Sequence, residues 1–149
     1  MKKITFKVDG EEISLDGEAL TATSDNFQEE LFKTPQDYLR VGSYLAKVNL
    51  MKNDSKLRYE AERGRMYNEY KSGSYEALYF KKPTEEGLTQ ALNEIDSLND
   101  IRKEINKLSS LSDELYNLRC SIQMKYDSVC EVCKHIRYTK ASIQQEENQ

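Results

Sequence analysis

Arg63-Gly64-Arg65-Met66 is followed closely by Tyr67, Tyr70 and Lys71, with Lys56 and Arg58 just ahead of it. Cations interleaved with phenol rings suit one kind of chemistry: the charges neutralise phosphates, and the flat rings give bases a surface to stack on. The same residues also fit the solvated tip of a helical hairpin, where lysines keep a surface wet and tyrosines cap the end of a bundle. The charge distribution singles the stretch out. Residues 44–82 are net +4 and lie between two segments of net −4 each, in a chain of formal charge −4 and pI near 5.2. An acidic whole argues against a generally basic nucleic-acid protein and leaves room for a local patch. Tyr44, Tyr59, Tyr75, Tyr79 and Phe80 bring further rings to this segment.

The second candidate is Cys130-Glu-Val-Cys133-Lys-His135. A structural zinc site needs four ligands converging on one point. On a helix Cys130 and Cys133 stand one turn apart, but His135 points elsewhere, and Cys120 lies about 15 Å away along the axis. Haem attachment needs histidine directly after the second cysteine, and Lys134 is there instead. Packing beside an apolar stripe is the expected role, with a small metal-dependent regulator as the other reading. No glycine-rich phosphate loop, G-x-S-x-G or H-E-x-x-H occurs, and the chain holds one histidine. Carboxylates such as Glu104, near Lys107, read as solvent-facing. The expectation is a protein without catalytic residues, cofactor or metal.

The elements that position these residues follow from patterning. Hydrophobic residues make up 38% and charged residues 32% of 149, which suits long amphipathic helices sharing a buried stripe. Ile4, Phe6 and Val8, then Ile13 and Leu15, alternate around Asp9-Gly10, a β-hairpin signal. Residues 1–33 therefore read as an N-terminal β-hairpin and acidic linker, with a short helix around Phe27–Phe32. Residues 34–149 read as a helical domain for oligomerisation and binding.

Thr34-Pro35 predicts the start of the first long helix, running to about Tyr70, with only Gly42 and Gly64 against it. Ser72-Gly73-Ser74 breaks it, and Pro83-Thr84 starts the next, with Glu85 and Glu86 in the favourable first turn. The stripe beyond runs from Leu88 to Ile143. From Leu108 it becomes a heptad seam interrupted by Lys125 and Thr139, with Leu108, Leu115, Leu118, Ile122, Val129 and Ile136 as the oligomerisation candidates. Ser109-Ser110-Leu111-Ser112 reads either as a bend where this segment folds back or as a weak patch in one very long helix. A stripe of roughly 60 residues needs the first helix, itself or another subunit to cover it. The fold class is thus mainly α, with long antiparallel amphipathic helices and a short N-terminal β-hairpin.

No run of about 18 apolar residues is present, so no membrane span is expected. MKKITFKVDG has no apolar run behind its lysines, and three cysteines are an odd number. Together they imply free thiols in a reducing cytoplasm, that of a host cell if the chain is phage-encoded.

The order of features resembles the UvsY-type recombination mediators of tailed phages across about residues 36–143. Arg63-Gly64-Arg65-Met66 is similar to the K-x-R-L element that carries DNA binding there: Arg63 takes the first basic role, Arg65 the second and Met66 the apolar one. The resemblance implies a mostly helical, ring-like homo-oligomer that binds single-stranded DNA. It also implies a RecA-like recombinase and a single-strand-binding protein as partners, the first being helped to displace the second. In that reading Arg63 and Arg65 contact phosphates, Lys56, Arg58 and Lys71 add field, and Tyr67 and Tyr70 stack on bases. The hairpin lies outside the resemblance. The rival reading is a structural or adaptor protein of a phage or mobile element, built on a coiled-coil hairpin and without a nucleic-acid role.

Overall fold

The computed structural model describes residues 2–72 and 84–147. Their order is β1 (Lys3–Val8), β2 (Glu11–Asp16), α1 (Gly17–Thr21), α2 (Phe27–Lys71), α3 (Glu85–Asn93) and α4 (Asp96–Glu147). The chain is mainly α, with long helices and one antiparallel two-stranded sheet. Residues 1–47 with 112–149 form one compact unit and residues 48–111 another.

In the first unit Val8 pairs with Glu11 and Lys3 with Asp16. The two turn residues both adopt positive φ, Asp9 at 53° and Gly10 at 82°, as the tight hairpin requires. One face of the ribbon carries Ile4, Phe6, Val8 and Leu15 into the core. A hairpin alone is marginal in water. This one is held by α2: the Phe6 ring meets Tyr44 edge-on at 5.6 Å, and Lys47 Nζ donates to Asp9 Oδ2 at 2.7 Å. Asp16 then caps α1, accepting from the amides of Glu18 and Ala19 at 3.1 Å each.

Helix α2 begins at Phe27, seven residues before the Thr34 start that the sequence suggests. Asn26 is the reason. Its side-chain oxygen accepts from the Glu29 amide at 3.2 Å, an N-terminal cap, and its Nδ2 donates to the Glu29 carboxylate at 3.4 Å, a side-chain contact beside the cap. Thr34-Pro35 therefore sits inside the helix, and Pro35 forgoes one ladder bond there. Thr34 is buried, and its hydroxyl donates to Glu30 Oε2 at 2.9 Å rather than capping anything.

That bond belongs to a buried polar cluster. Lys125 of α4 places Nζ 2.6 Å from Glu30 Oε2 and donates to the Leu20 carbonyl at 3.4 Å, while the Ser24 amide donates to Glu30 Oε1 at 3.2 Å. Burial opposes ionisation of Glu30. Hydrogen bonds from Lys125, Thr34 and Ser24, with the Lys125 charge, outweigh it and hold the carboxyl below its ordinary range. Leu115, Leu118, Ile122 and Val129 are buried along α4 in this unit, so the chain's own elements cover most of the seam assigned to oligomerisation. Ile136, at 39% exposed, lies beyond that cover.

Gly42 does not break α2. A Cβ there would stand 3.2 Å from Arg119 Nε, and the missing side chain leaves room for the Arg119 guanidinium to lie over the Tyr38 ring at 4.2 Å.

In the second unit Thr84 caps α3 by accepting from the Gly87 amide at 3.1 Å, with Glu85 and Glu86 in the first turn as expected. Leu88, Ala91 and Leu92 of α3, and Leu98 and Leu108 of α4, are buried. The helical segment after residue 84 is two helices, and the break falls at Glu94-Ile95 rather than at Ser109–Ser112, which stays helical. Side-chain capping explains the place. Asn99 Nδ2 donates to the Asn93 carbonyl at 3.1 Å, satisfying an end group of α3 while the Asn99 amide begins the ladder of α4 on Ile95. The link predicted at residues 73–83 lies outside the described residues. Among the described residues no helix is long and apolar enough to cross a membrane.

Lys125→Ala leaves the Glu30 carboxylate buried without its cation, and is expected to cost about 3–5 kcal/mol in urea unfolding at pH 7. Adding Glu30→Gln should recover most of that loss. Because the folded Glu30 carboxyl titrates below its unfolded value of about 4.3, the pair's contribution is complete above that pH and fades as pH falls through the lowered value. The gap between wild type and Glu30→Gln should therefore narrow from pH 7 to pH 3. Gly64, where an added Cβ meets nothing within 4 Å, should behave differently from Gly42. Gly64→Ala is expected to stabilise by about 0.5–1 kcal/mol and Gly42→Ala by less, read as the midpoint of thermal unfolding.

Candidate nucleic-acid interface

The seven residues singled out for binding all lie in the last four turns or so of α2, within the second unit. The helix does not hold them as one patch. At 100° per residue, Arg63 and Arg65 project about 200° apart, so an Arg-x-Arg element that is adjacent in sequence is split between opposite flanks. Lys56 shares a flank with Arg63, and Arg58 shares one with Arg65, since each pair is seven residues apart.

The two flanks differ in charge state as a surface. Arg65 donates to Glu62 through Nε and Nη2, at 3.1 and 2.7 Å, and through Nη1 to Glu69. The hydrogen bond and charge of Glu62 raise the Arg65 guanidinium above its ordinary value, and the same bond lowers Glu62. Arg58 donates to Glu104 Oε2 at 2.5 Å, and Ser55 Oγ donates to Glu104 Oε1 at 2.9 Å. Glu104 is exposed, as its pattern suggests, but its partners are Ser55 and Arg58 of α2. On this flank each arginine is matched by carboxylate.

The Arg63 flank is otherwise. Lys56 and Arg63 are exposed and make no ion pair or hydrogen bond with the described residues. Tyr59, Arg63 and Tyr67 follow at i, i+4 and i+8, one above the next. With Glu60, Gly64 and Asn68 they line an open groove of about 560 Å³. Lys71 Nζ lies 5.8 Å from the Tyr67 ring centre. Tyr70 is half-buried on the same side of the helix and has interactions of its own.

One contributor was not visible in the local sequence. Arg102 of α4 lays its guanidinium over the Tyr59 ring at 5.6 Å and donates Nη2 to the Tyr59 hydroxyl at 2.8 Å. Its partner is 43 residues away, and its own neighbours, Ile101 and Lys103, mark only a stripe edge. The arrangement can take up an anion beside a flat ring: Arg63 and Lys56 supply unmatched charge, and Tyr59 and Tyr67 supply rings. Among the described residues no group of three or more His, Cys, Asp or Glu could hold a metal ion. Tyr75, Tyr79, Phe80, Lys81 and Lys82 lie outside the described residues. No protein-family model, curated protein or solved structure matches the chain.

Proposed function

We propose that the chain is a non-enzymatic single-strand nucleic-acid-binding protein, and that it serves as a recombination mediator acting as a homo-oligomer. The observation that carries the binding reading is the Lys56–Arg63 flank of α2. There, the unmatched Arg63 stands between Tyr59 and Tyr67 in an open groove that Glu60 also lines, with Lys56 two turns earlier on the same flank, while Arg58 and Arg65 are matched by Glu104, Glu62 and Glu69. Phosphate contacts from Arg63 and Lys56, with bases stacked on tyrosine, make a sequence-tolerant site that is weak per subunit and strengthened by multivalency. The mediator role, with a RecA-like recombinase and a single-strand-binding protein as partners, rests on the resemblance of the Arg63–Met66 element and its surroundings.

The rival, a structural or adaptor protein, is favoured by one feature. Leu50 and Leu57, each 64% exposed, share the side of α2 turned away from the buried Ser55, a face suited to a protein partner.

The two readings separate in a fluorescence-anisotropy titration of a labelled oligonucleotide over a range of salt. Binding at about 50 mM salt with a falling log K against log salt supports the first; no binding there supports the second. Within the first, Arg63→Ala should reduce the salt slope by about 0.7 and Lys56→Ala by a similar amount. Arg65→Ala should leave the slope nearly unchanged. Equal losses from Arg63→Ala and Arg65→Ala would place the strand elsewhere.

A further inference from the structure

Helix α4 carries two of the chain's three thiols one turn apart, in the first unit. Cys130 and Cys133 are both partly buried, and neither is in a disulfide. On a straight helix, residues three apart are rotated by about 60° and have Cα atoms about 5 Å apart. Both therefore project to one side of α4, where Tyr126, one turn before Cys130, joins them. The Tyr126 hydroxyl is raised above its ordinary value, first by its hydrogen bond with the Cys130 side chain. A Cα separation near 5 Å lies within the window in which two cysteines can be bridged.

The rest of the surroundings narrow the chemistry. No third His, Cys, Asp or Glu joins them among the described residues, so a four-ligand zinc site is not built here. Two sulfurs without further ligands suit a soft, thiol-seeking centre that is satisfied by two bonds. Cys120 is exposed and stands ten residues earlier, about 15 Å along the helix, out of reach of the other two.

We propose that Cys130 and Cys133 form a dithiol site that takes up a soft two-sulfur-seeking centre, of which a monosubstituted trivalent arsenical is the simplest example. Two As–S bonds form, the As=O bond breaks, and its oxygen leaves as water with the two thiol protons. Arsenic and sulfur keep their oxidation states. The chelate holds because the second thiol attacks from within the same molecule, at an effective concentration far above that of a free monothiol.

The test is phenylarsine oxide added to the full-length chain, followed by a monothiol wash and intact mass measurement. Wild type should retain one phenylarsenic group per chain and release it to a small dithiol. Cys130→Ser and Cys133→Ser should each lower retention by roughly 10²-fold, and Cys120→Ser should not. On the unsubstituted protein, bound arsenical should shield Cys130 and Cys133 from iodoacetamide and leave Cys120 alkylated. That second readout stands even if a serine variant fails to fold. Loss of the group to the monothiol wash, or equal retention by either serine variant, would overturn the site.

Discussion

A lysine ammonium inside an apolar helix seam has nowhere to put its charge unless the chain brings acceptors to it. Lys125 stands among Leu118, Ile122 and Val129 of α4, all buried, and its acceptors come from residues about a hundred positions earlier. Glu30 supplies a carboxylate and Leu20 a carbonyl. Ser24 and Thr34 then satisfy the carboxylate's remaining capacity. A buried pair of this kind gains little over an apolar pair of similar volume. What it imposes is placement. If the segment from Leu20 to Thr34 slipped along α4 by one residue, the ammonium and the carboxylate would both be stranded, at several kcal/mol. The hairpin inherits that register through α1, and its own ties to Tyr44 and Lys47 complete the first unit.

Carboxylate matching also decides which cations of α2 remain available. Each exposed ion pair contributes little to stability, because water and salt screen it. Each nevertheless removes a cation from the local field as seen by an incoming anion. Arg58 and Arg65 are matched on one flank, and Lys56 and Arg63 are unmatched on the other. A count of basic residues between 44 and 82 therefore overstates the field on one side of the helix and misplaces its centre.

Much of the fold was legible because its signals are local. Asp9-Gly10 between alternating residues announced the hairpin, and Thr84 followed by two glutamates announced α3. The start of α2 was misread because Thr34-Pro35 imitates a cap, while the working cap, Asn26 with Glu29, lies in a polar stretch without periodicity. The break at Glu94-Ile95 was hidden for a similar reason. The apolar stripe passes through it undisturbed, and the cap that ends α3 comes from Asn99 in the following helix. The candidate site was legible by residue type and illegible by geometry. Arg-x-Arg reads as one element along a line of text, but on a helix it faces two ways, and Arg102 reaches Tyr59 only through tertiary packing.

Carrying the rings on a helix rather than on a loop has a consequence for how they can work. Tyr59 and Tyr67 are eight residues apart, so their Cα atoms are held about 12 Å apart along the axis, with Arg63 midway. A loop would have to order itself around a ligand and give up conformational freedom to do so; α2 has already lost it on folding. Arg102 extends this to the side chain, since a ring hydrogen-bonded at 2.8 Å and covered by a guanidinium has few rotamers left to surrender. Lys71 stands in a similar relation to Tyr67, 5.8 Å from its ring centre, so each of the two rings has a cation beside it. On this helix the spacing of the rings, the backbone position of Arg63 between them and the clamp on Tyr59 are set by the fold before any ligand arrives.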